Sequence, residues 1–547
     1  METYEHKEAG DQIRIALNDN IYLRGGTDLS ADSEDPLYVT MMHKVNGVPV
    51  PLDLELSAGD VICLAGDYYT KAGWGLQLQV YRENEQILRS PVSSREKQAF
   101  RQAYDDLASP RVTQKAINRI YKIDKSRYIP GLLKELLFSF SVKGYGKKLL
   151  KNEAHFAPWS LRAYIVGHHS SLHMAELAYY CYQKAEAGVK IADIINESDV
   201  SQQLRKALEA IQENQVQYGF KRGGDSKTIL IELGHRYHAM AVACDLFTMH
   251  FYSDHFAAGH LSRIGQMRRS LPEEFGVWGS ILVNNMHNED NEDSVTVTNP
   301  FQPRQDAPFS REDRPFRMIR EDNQAYGDGT YSERQNDENS NMLINGMDNS
   351  LGDIARLIAT GEKRAPDAYG GLTFLPEIDY GKRQTQPLLI LGMDNKVYFR
   401  SNVRYIKMLS PFEYQDTLHN PTEHGYEKLT YWKAIWLVLL LRLSWSSPQV
   451  DLLSKGERLK IERDEERYAS RFSKRPSITS EFSPNQDGEE DISYHENRTP
   501  KVGAWRRSKG FSDIPMALQV PLSIFAAQKD VINVSDEEIS RLGFIKR

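Results

Sequence analysis

From Glu96 to His287, apolar residues recur at spacings of three and four, and this run restricts the possible folds more than any other feature. Such spacing lays an apolar stripe along each helix, and a stripe must be buried against its neighbours. Leu161 to Ala187 and Ser226 to His250 are the longest such stretches, and Ile194 to Asn214 holds neither Pro nor Gly. Gly259, Pro272 and Gly276 punctuate the end of the region. The expectation is a mainly α fold with a helical bundle at its centre.

The flanks read differently. Residues 12 to 80 form a mixed segment, in which short apolar runs such as Val61 to Gly66 are broken by turn-like groups. After Asn285 the chain turns rich in Asp, Asn, Gly and Pro, as loops are. A separate α+β C-terminal region is expected beyond it, with a helix from Glu427 to Ser444. The organisation this implies is a catalytic domain over residues 1–340 and a second domain over 341–470. A polar, aromatic-poor linker over 471–513 and a tail over 514–547 follow.

Charge and cysteines exclude several classes. A formal net charge of -7 gives no basic footprint for duplex binding, so no nucleic-acid partner is expected. Cys63, Cys181 and Cys244 are odd in number and far apart, which implies no disulfide framework, and no CxxC pair exists for a thiolate zinc site. They read as small buried hydrophobes. The opening METYEHKEAGDQIRI is charged and lacks the apolar core of a classical signal peptide. The longest apolar run, Ala434 to Leu441, is far short of the about 20 residues that span a bilayer.

The segment HFYSDHFAAGH, His250 to His260, concentrates the chemistry. His250 and Asp254 lie four apart, on one helix face, where imidazole and carboxylate can grip one cation. Alone, such a pair is equally an i,i+4 ion pair. His260 is ten residues from His250, about 15 Å along a continuous helix. Either the helix breaks at Gly259 or His260 serves a second ion. Further donors are available: Asp67 in AGDYY, His155 in NEAHF, and His287 with Glu289 or Asp290 in NNMHNEDN, read as a loop past the bundle. A lone His is more often a core or surface residue than a ligand. His168, His169, His173, His235 and His238 keep that reading, with His168 and His235 as candidates to hold ligands in place.

The HxxxDxxxxxH spacing of His250, Asp254 and His260 resembles the zinc-dependent phospholipase C superfamily, which also contains single-strand-specific nucleases. The blocks AGDYY, NEAHFAPWSLRAYIVGHH, HFYSDHFAAGH and NNMHNEDN resemble, in this order, a bacterial phospholipase C family of intracellular pathogens and pseudomonads. The likeness covers about residues 55 to 300 and extends toward the DGTY segment at Asp328. It implies a helical zinc-dependent phospholipase C domain with two or three zinc ions. One zinc would be held by Asp67, His155, His250 and Asp254, and a second by His260, His287 and Asp290. Superfamily members hold a third zinc partly through an N-terminal Trp; here Met1 opens a long extension instead. Where relatives show His-x3-Glu, position 291 is Asn, so the acid has to come from a neighbour.

The activity so implied is hydrolysis of glycerophospholipids such as phosphatidylcholine to diacylglycerol and a phosphorylated headgroup. Asp67 or Asp254 would orient the attacking water and take its proton. The partner would be phospholipid at a membrane surface. Trp432, Trp436 and Trp445 are candidates to meet it, and Tyr68, Tyr69 and Trp74 to cage a choline, although both groups read more readily as core. The resemblance further implies an effector exported into a host cell through its tail, where DEE precedes ISRLGFIKR, with cytoplasmic residence as the alternative. A nuclease, or an interaction protein propped by a structural metal, are the competing readings.

Overall fold

The computed structural model describes residues 1, 3–15, 20–26, 35–69, 91–124, 153–157, 159–261, 264–298, 324–379, 382, 384–403 and 408–443. Helix α1 (Thr3–Asp11) is followed by an antiparallel sheet of β1 (Leu23–Arg24), β2 (Tyr38–Val45) and β3 (Val48–Ser57). Asn46 and Gly47 both adopt positive φ in the turn between β2 and β3, as a two-residue hairpin requires. Ser57 then caps helix α2 (Ala58–Leu64): its hydroxyl accepts from Asp60 N, and the Asp60 carboxylate accepts from Ser57 N. A π-helical turn, Ala65–Tyr69, continues it.

Helices α3 (Ser94–Leu107) and α4 (Gln114–Asp124) lead to the central pair, α5 (Trp159–Glu186) and α8 (Ser226–Asp254), with α6 (Ile191–Asn196) and α7 (Gln202–Glu213) between them. Helix α8 starts at an Asp225 cap, whose carboxylate accepts from Thr228 N at 2.7 Å. From Arg236 to Asp254 every residue of it is buried, as expected of a helix surrounded by others. The pair runs antiparallel and close: a Cβ on Gly167 would lie 2.2 Å from Thr248 Oγ1.

Past α9 (Ala258–Leu261), α10 (Ile264–Asp293) kinks at Gly276, where φ is 60°. Strand β4 (Val295–Thr298) pairs with β5 (Gln324–Ala325). Helix α11 (Asp337–Thr360) follows, then β6 (Glu377–Ile378), which also pairs with β4. Strands β7 (Gln384–Thr385), β8 (Leu389–Leu391), β9 (Val397–Arg400) and β10 (Met408–Leu409), helix α12 (Pro411–His419), strand β11 (Tyr426–Lys428) and helix α13 (Tyr431–Leu443) complete the chain.

The fold is mainly helical with a few small sheets. The main core joins the N-terminal sheet, α5, α8 and α11; a second core joins α10, β8, β9 and α13. A domain boundary at residues 340/341 would cut α11, whose apolar face packs on α5 and α8. The bundle therefore extends to Thr360, and the polar composition around Asp337 marks a helix start rather than a loop. The helix expected over 427–444 is α13, and Glu427 belongs to β11. Among the described residues no helix is long and apolar enough to cross a membrane. The three cysteines are free and buried. The linker 471–513, the tail 514–547, Trp445 and Trp74 lie outside the described residues.

Candidate metal centre

Asp254 ends α8 at the base of the bundle and is 1 % exposed. The chain turns at once: Ala257 N donates to the Asp254 carbonyl, and α9 carries His260 back toward the helix end. His260 Nδ1 then lies 3.7 Å from Asp254 Oδ1. The helix thus breaks at residues 255–257, ahead of Gly259. Gly259 serves a close approach instead, since a Cβ there would lie 2.8 Å from His287 and 2.6 Å from Asn291.

Three histidines are oriented alike. His250 Nδ1 donates to the Ile62 carbonyl at 2.9 Å, and His260 Nδ1 donates to the His155 carbonyl at 2.8 Å. His6 Nδ1 donates to Ser253 Oγ at 2.7 Å, because that hydroxyl already donates its proton to the His250 carbonyl. A neutral ring held this way keeps Nε2 unprotonated, as a metal ligand needs. Burial, with His6 and His155 nearby, holds His250 well below the ordinary imidazole value despite Asp254. Burial and the Met1 ammonium lower His260 to about 3. Both are neutral at pH 7.

Two three-donor groups result: His6, His250 and Asp254 in one, and His260, His287 and Asp328 in the other. Within each, the ligand atoms lie within 4.8 Å of one another, close enough to hold a metal ion. His155 links them. Its Nδ1 is 2.7 Å from Asp254 Oδ2 and 3.1 Å from His250 Nε2. His287 Nε2 is 3.5 Å from Asp328 Oδ2. His6 Nε2 is buried and makes no hydrogen bond, an orphan that a cation would satisfy. The donor set and this orphan fit a metal ion.

Of the residues singled out from sequence, His155, His250, Asp254, His260 and His287 come together here. Asp290 does not join either group. The HNEDN acids are not in a loop: α10 continues through Asp293, so successive side chains fan around it. Asn291, one turn beyond His287, takes the inner face. Glu289 points the other way and pairs with Arg400 at 3.0 Å while accepting from Leu388 N. The carboxylate comes from Asp328, to which Asn291 Nδ2 donates at 2.9 Å. The side chain of Asp67 lies outside the described residues, but its neighbour Gly66 abuts the site. A Cβ at Gly66 would lie 1.8 Å from His250 Nε2. Tyr68 is buried.

Among the described residues, His43, His235 and His168 stand elsewhere. His43 Nδ1 donates to the Ala108 carbonyl, and His235 packs edge-on against Tyr182. His168 is buried in a polar group of its own with Asp245 and Asp353.

Sequence reasoning missed three participants: His6, Asp328 and the Met1 α-ammonium. His6 stacks on His250 from α1, with ring centroids 4.1 Å apart. Its only signal was a lone histidine in a charged opening segment. Met1 reads as the start of a long extension, yet its ammonium lies 3.1 Å from Asp254 and 2.8 Å from Asp328. Burial opposes its charge, but Asp328 and Asp254 raise it to about 12. Burial likewise opposes both carboxylates. The ammonium, with His260 and His250, holds Asp254 well below the usual range, and the ammonium, with His287 and His260, does so for Asp328.

No protein-family model, curated protein or solved structure matches this chain.

Proposed function

We propose that this chain is a metal-dependent hydrolase of phosphate esters, a zinc phospholipase C acting on glycerophospholipids. The observation that supports it is the pair of His/Asp groups meeting around Asp254, with ligands drawn from α1, α8, α9, α10 and the turn at Asp328. Neutral imidazole combined with carboxylate suits zinc among the common divalent ions. Zinc held there would offset the charge of a phosphodiester and bring the acidity of water near neutral pH.

The chain's own residues divide the remaining work. Asp254 has both oxygens engaged, Oδ1 by Met1 and Oδ2 by His155, and so fixes positions. His155 aligns Asp254 with His250 through its ring and orients His260 through its carbonyl. Asn291 holds Asp328. Proton removal from water is assigned to Asp67, next in sequence to the Gly66 backbone that touches His250. Tyr431, Trp432, Trp436 and Leu439 are exposed along α13, and such a face suits contact with a lipid surface.

The test is elemental analysis of the purified chain together with release of diacylglycerol from phosphatidylcholine vesicles, run beside single-stranded DNA as substrate. Bound zinc with diacylglycerol release, abolished by His250→Ala, Asp254→Ala and His260→Ala in folded protein, is expected. DNA cleavage without lipid cleavage would make it a nuclease, and metal without turnover would make it a structural site.

A further inference from the structure

A second cleft opens about 15 Å up α8 from Asp254, on the flank of the bundle, and its chemistry is different. It lies between α3, α5, α8 and β2, with a volume of about 260 Å³. Its floor is apolar, made by the buried side chains of Phe100, Tyr104, Met174, Met240 and Cys244. Its walls are basic. Lys44, Lys97, Arg101 and Lys363 line it against a single carboxylate, Asp105.

These cations are poorly compensated. Lys363 is paired with Glu176 at 2.9 Å, outside the lining. Among the described residues no carboxylate lies within 4 Å of Lys44, Lys97 or Arg101. The one hydrogen bond of Lys44 runs to the thioether of Met174, at 3.7 Å. Burial lowers Lys44 from its ordinary value, and it lowers His169, also on the wall, to about 4, with Lys363 and Lys97 adding to the effect. A cation kept in such a place without a partner is costly to the free protein.

A second observation is independent of charge. The Tyr104 hydroxyl is buried and makes no hydrogen bond, although the Met42 backbone lies near enough to bias its ionisation. Burial raises the Asp105 carboxyl, beside it on α3, against the pull of Lys44 and Arg101. A buried polar atom is rarely left unsatisfied, and the Tyr104 hydroxyl lines this cavity.

We propose that this cleft binds a small phosphomonoester whose organic part is apolar, the phosphate against Lys44, Lys97, Arg101 and the Tyr104 hydroxyl, the apolar part against Phe100 and Met240. Lys44, Lys97 and Arg101 against the one lining carboxylate favour a dianion over a carboxylate, since a phosphomonoester carries about -1.5 to -2 at pH 7. The volume is just under the about 300–1,000 Å³ of sites for drug-sized molecules, which sets the ligand's scale. The same chemistry is offered by a free metabolite and by the headgroup of phosphatidic acid. The site shares no residue with the metal centre and stands or falls apart from it.

The experiment is calorimetric titration of the full chain with phenyl phosphate and with octanoate, beside sedimentation with phosphatidylcholine vesicles doped with phosphatidic acid. Saturable binding of phenyl phosphate, weaker binding of octanoate, and a loss of about tenfold or more in each of Lys44→Met and Arg101→Ala are expected. Arg101 is exposed and Tyr104→Phe removes one atom, so both variants remain folded and the latter must also weaken binding. His260→Ala must leave the affinity unchanged. Capture by phosphatidic acid vesicles alone, lost in Lys44→Met, would support the cleft and identify the source as lipid. No saturable binding of either phosphate probe, tighter binding of octanoate, affinity that survives Lys44→Met and Arg101→Ala, or affinity lost with His260→Ala would each overturn the proposal.

Discussion

The Met1 α-ammonium lies 3.1 Å from Asp254 Oδ1, across 253 positions of sequence. The contact draws α1 onto the end of α8 and places a positive charge where two carboxylates meet. A cation entering the centre competes with that ammonium for the same oxygens. Added zinc is therefore expected to raise the thermal midpoint of chelator-treated protein, with about 2.7 kcal/mol of stabilisation at a hundredfold excess over Kd. In Asp254→Asn the zinc-dependent rise should vanish, as read by differential scanning calorimetry. An equal rise in the variant would place the metal elsewhere.

Gly66 is the second handle on the site. Its Cα faces the His250 ring so closely that any Cβ collides with Nε2. Gly66→Ala must push the π-helical turn or the imidazole aside, at about 1–3 kcal/mol of overpacking strain. Metal affinity should fall well over tenfold while helical content by circular dichroism is kept. Unchanged affinity would mean that His250 is not a ligand.

Glu289 and Asp328 separate structure from chemistry. Glu289 is buried and bonded to Arg400, tying α10 to β9. Glu289→Ala leaves a buried guanidinium uncompensated and should cost about 3–5 kcal/mol in denaturant titrations, with metal stoichiometry retained. Asp328→Ala should do the opposite, lowering the metal count in elemental analysis with a smaller stability change. A lost metal in Glu289→Ala at full folding would reverse these roles.

His168 gives the fold a pH limit. Its Nδ1 is 2.7 Å from Asp245 and its Nε2 is 3.4 Å from Asp353, with Ser350 bonded to Asp245, Tyr369 edge-on to the ring and Arg364 paired with Asp353. Burial disfavours the imidazolium, but Asp245 and Asp353 raise it to about 9. A raised value means that the stabilisation is complete below pH 6.5 and is lost as pH rises through about 9. The loss is expected to be on the order of 3 kcal/mol between pH 6 and 10. Asp245→Asn should lessen that dependence, leaving above pH 8 the loss due to the Met1 ammonium, which is raised to about 12, as measured by denaturant midpoints over the range. A wild-type midpoint constant to pH 10 would show that His168 is neutral in the fold.

Much of the helical framework was legible from periodicity, because an apolar stripe constrains a helix locally. The stretch 161–187 runs one residue past the end of α5, and 226–250 lies within α8. The limits are less visible: α11 opens on DENSN, polar as a loop is, and only its packing on α5 and α8 assigns it to the bundle. HNEDN looked like a loop for the same reason, since composition reports exposure and not the geometry of a continuing helix.

The sequence by itself determined the long helices and the residue types able to bind a cation, since spacing sets helix faces and side-chain chemistry sets ligand preference. The tertiary structure decided which donors meet. Asp328 replaces Asp290, and His6 and Met1 arrive from the other end of the chain, because a three-residue turn after Asp254 and the docking of α1 are set by packing between distant segments. No local pattern encodes those contacts, for ligand geometry is a property of space and spacing along the chain is a property of one dimension.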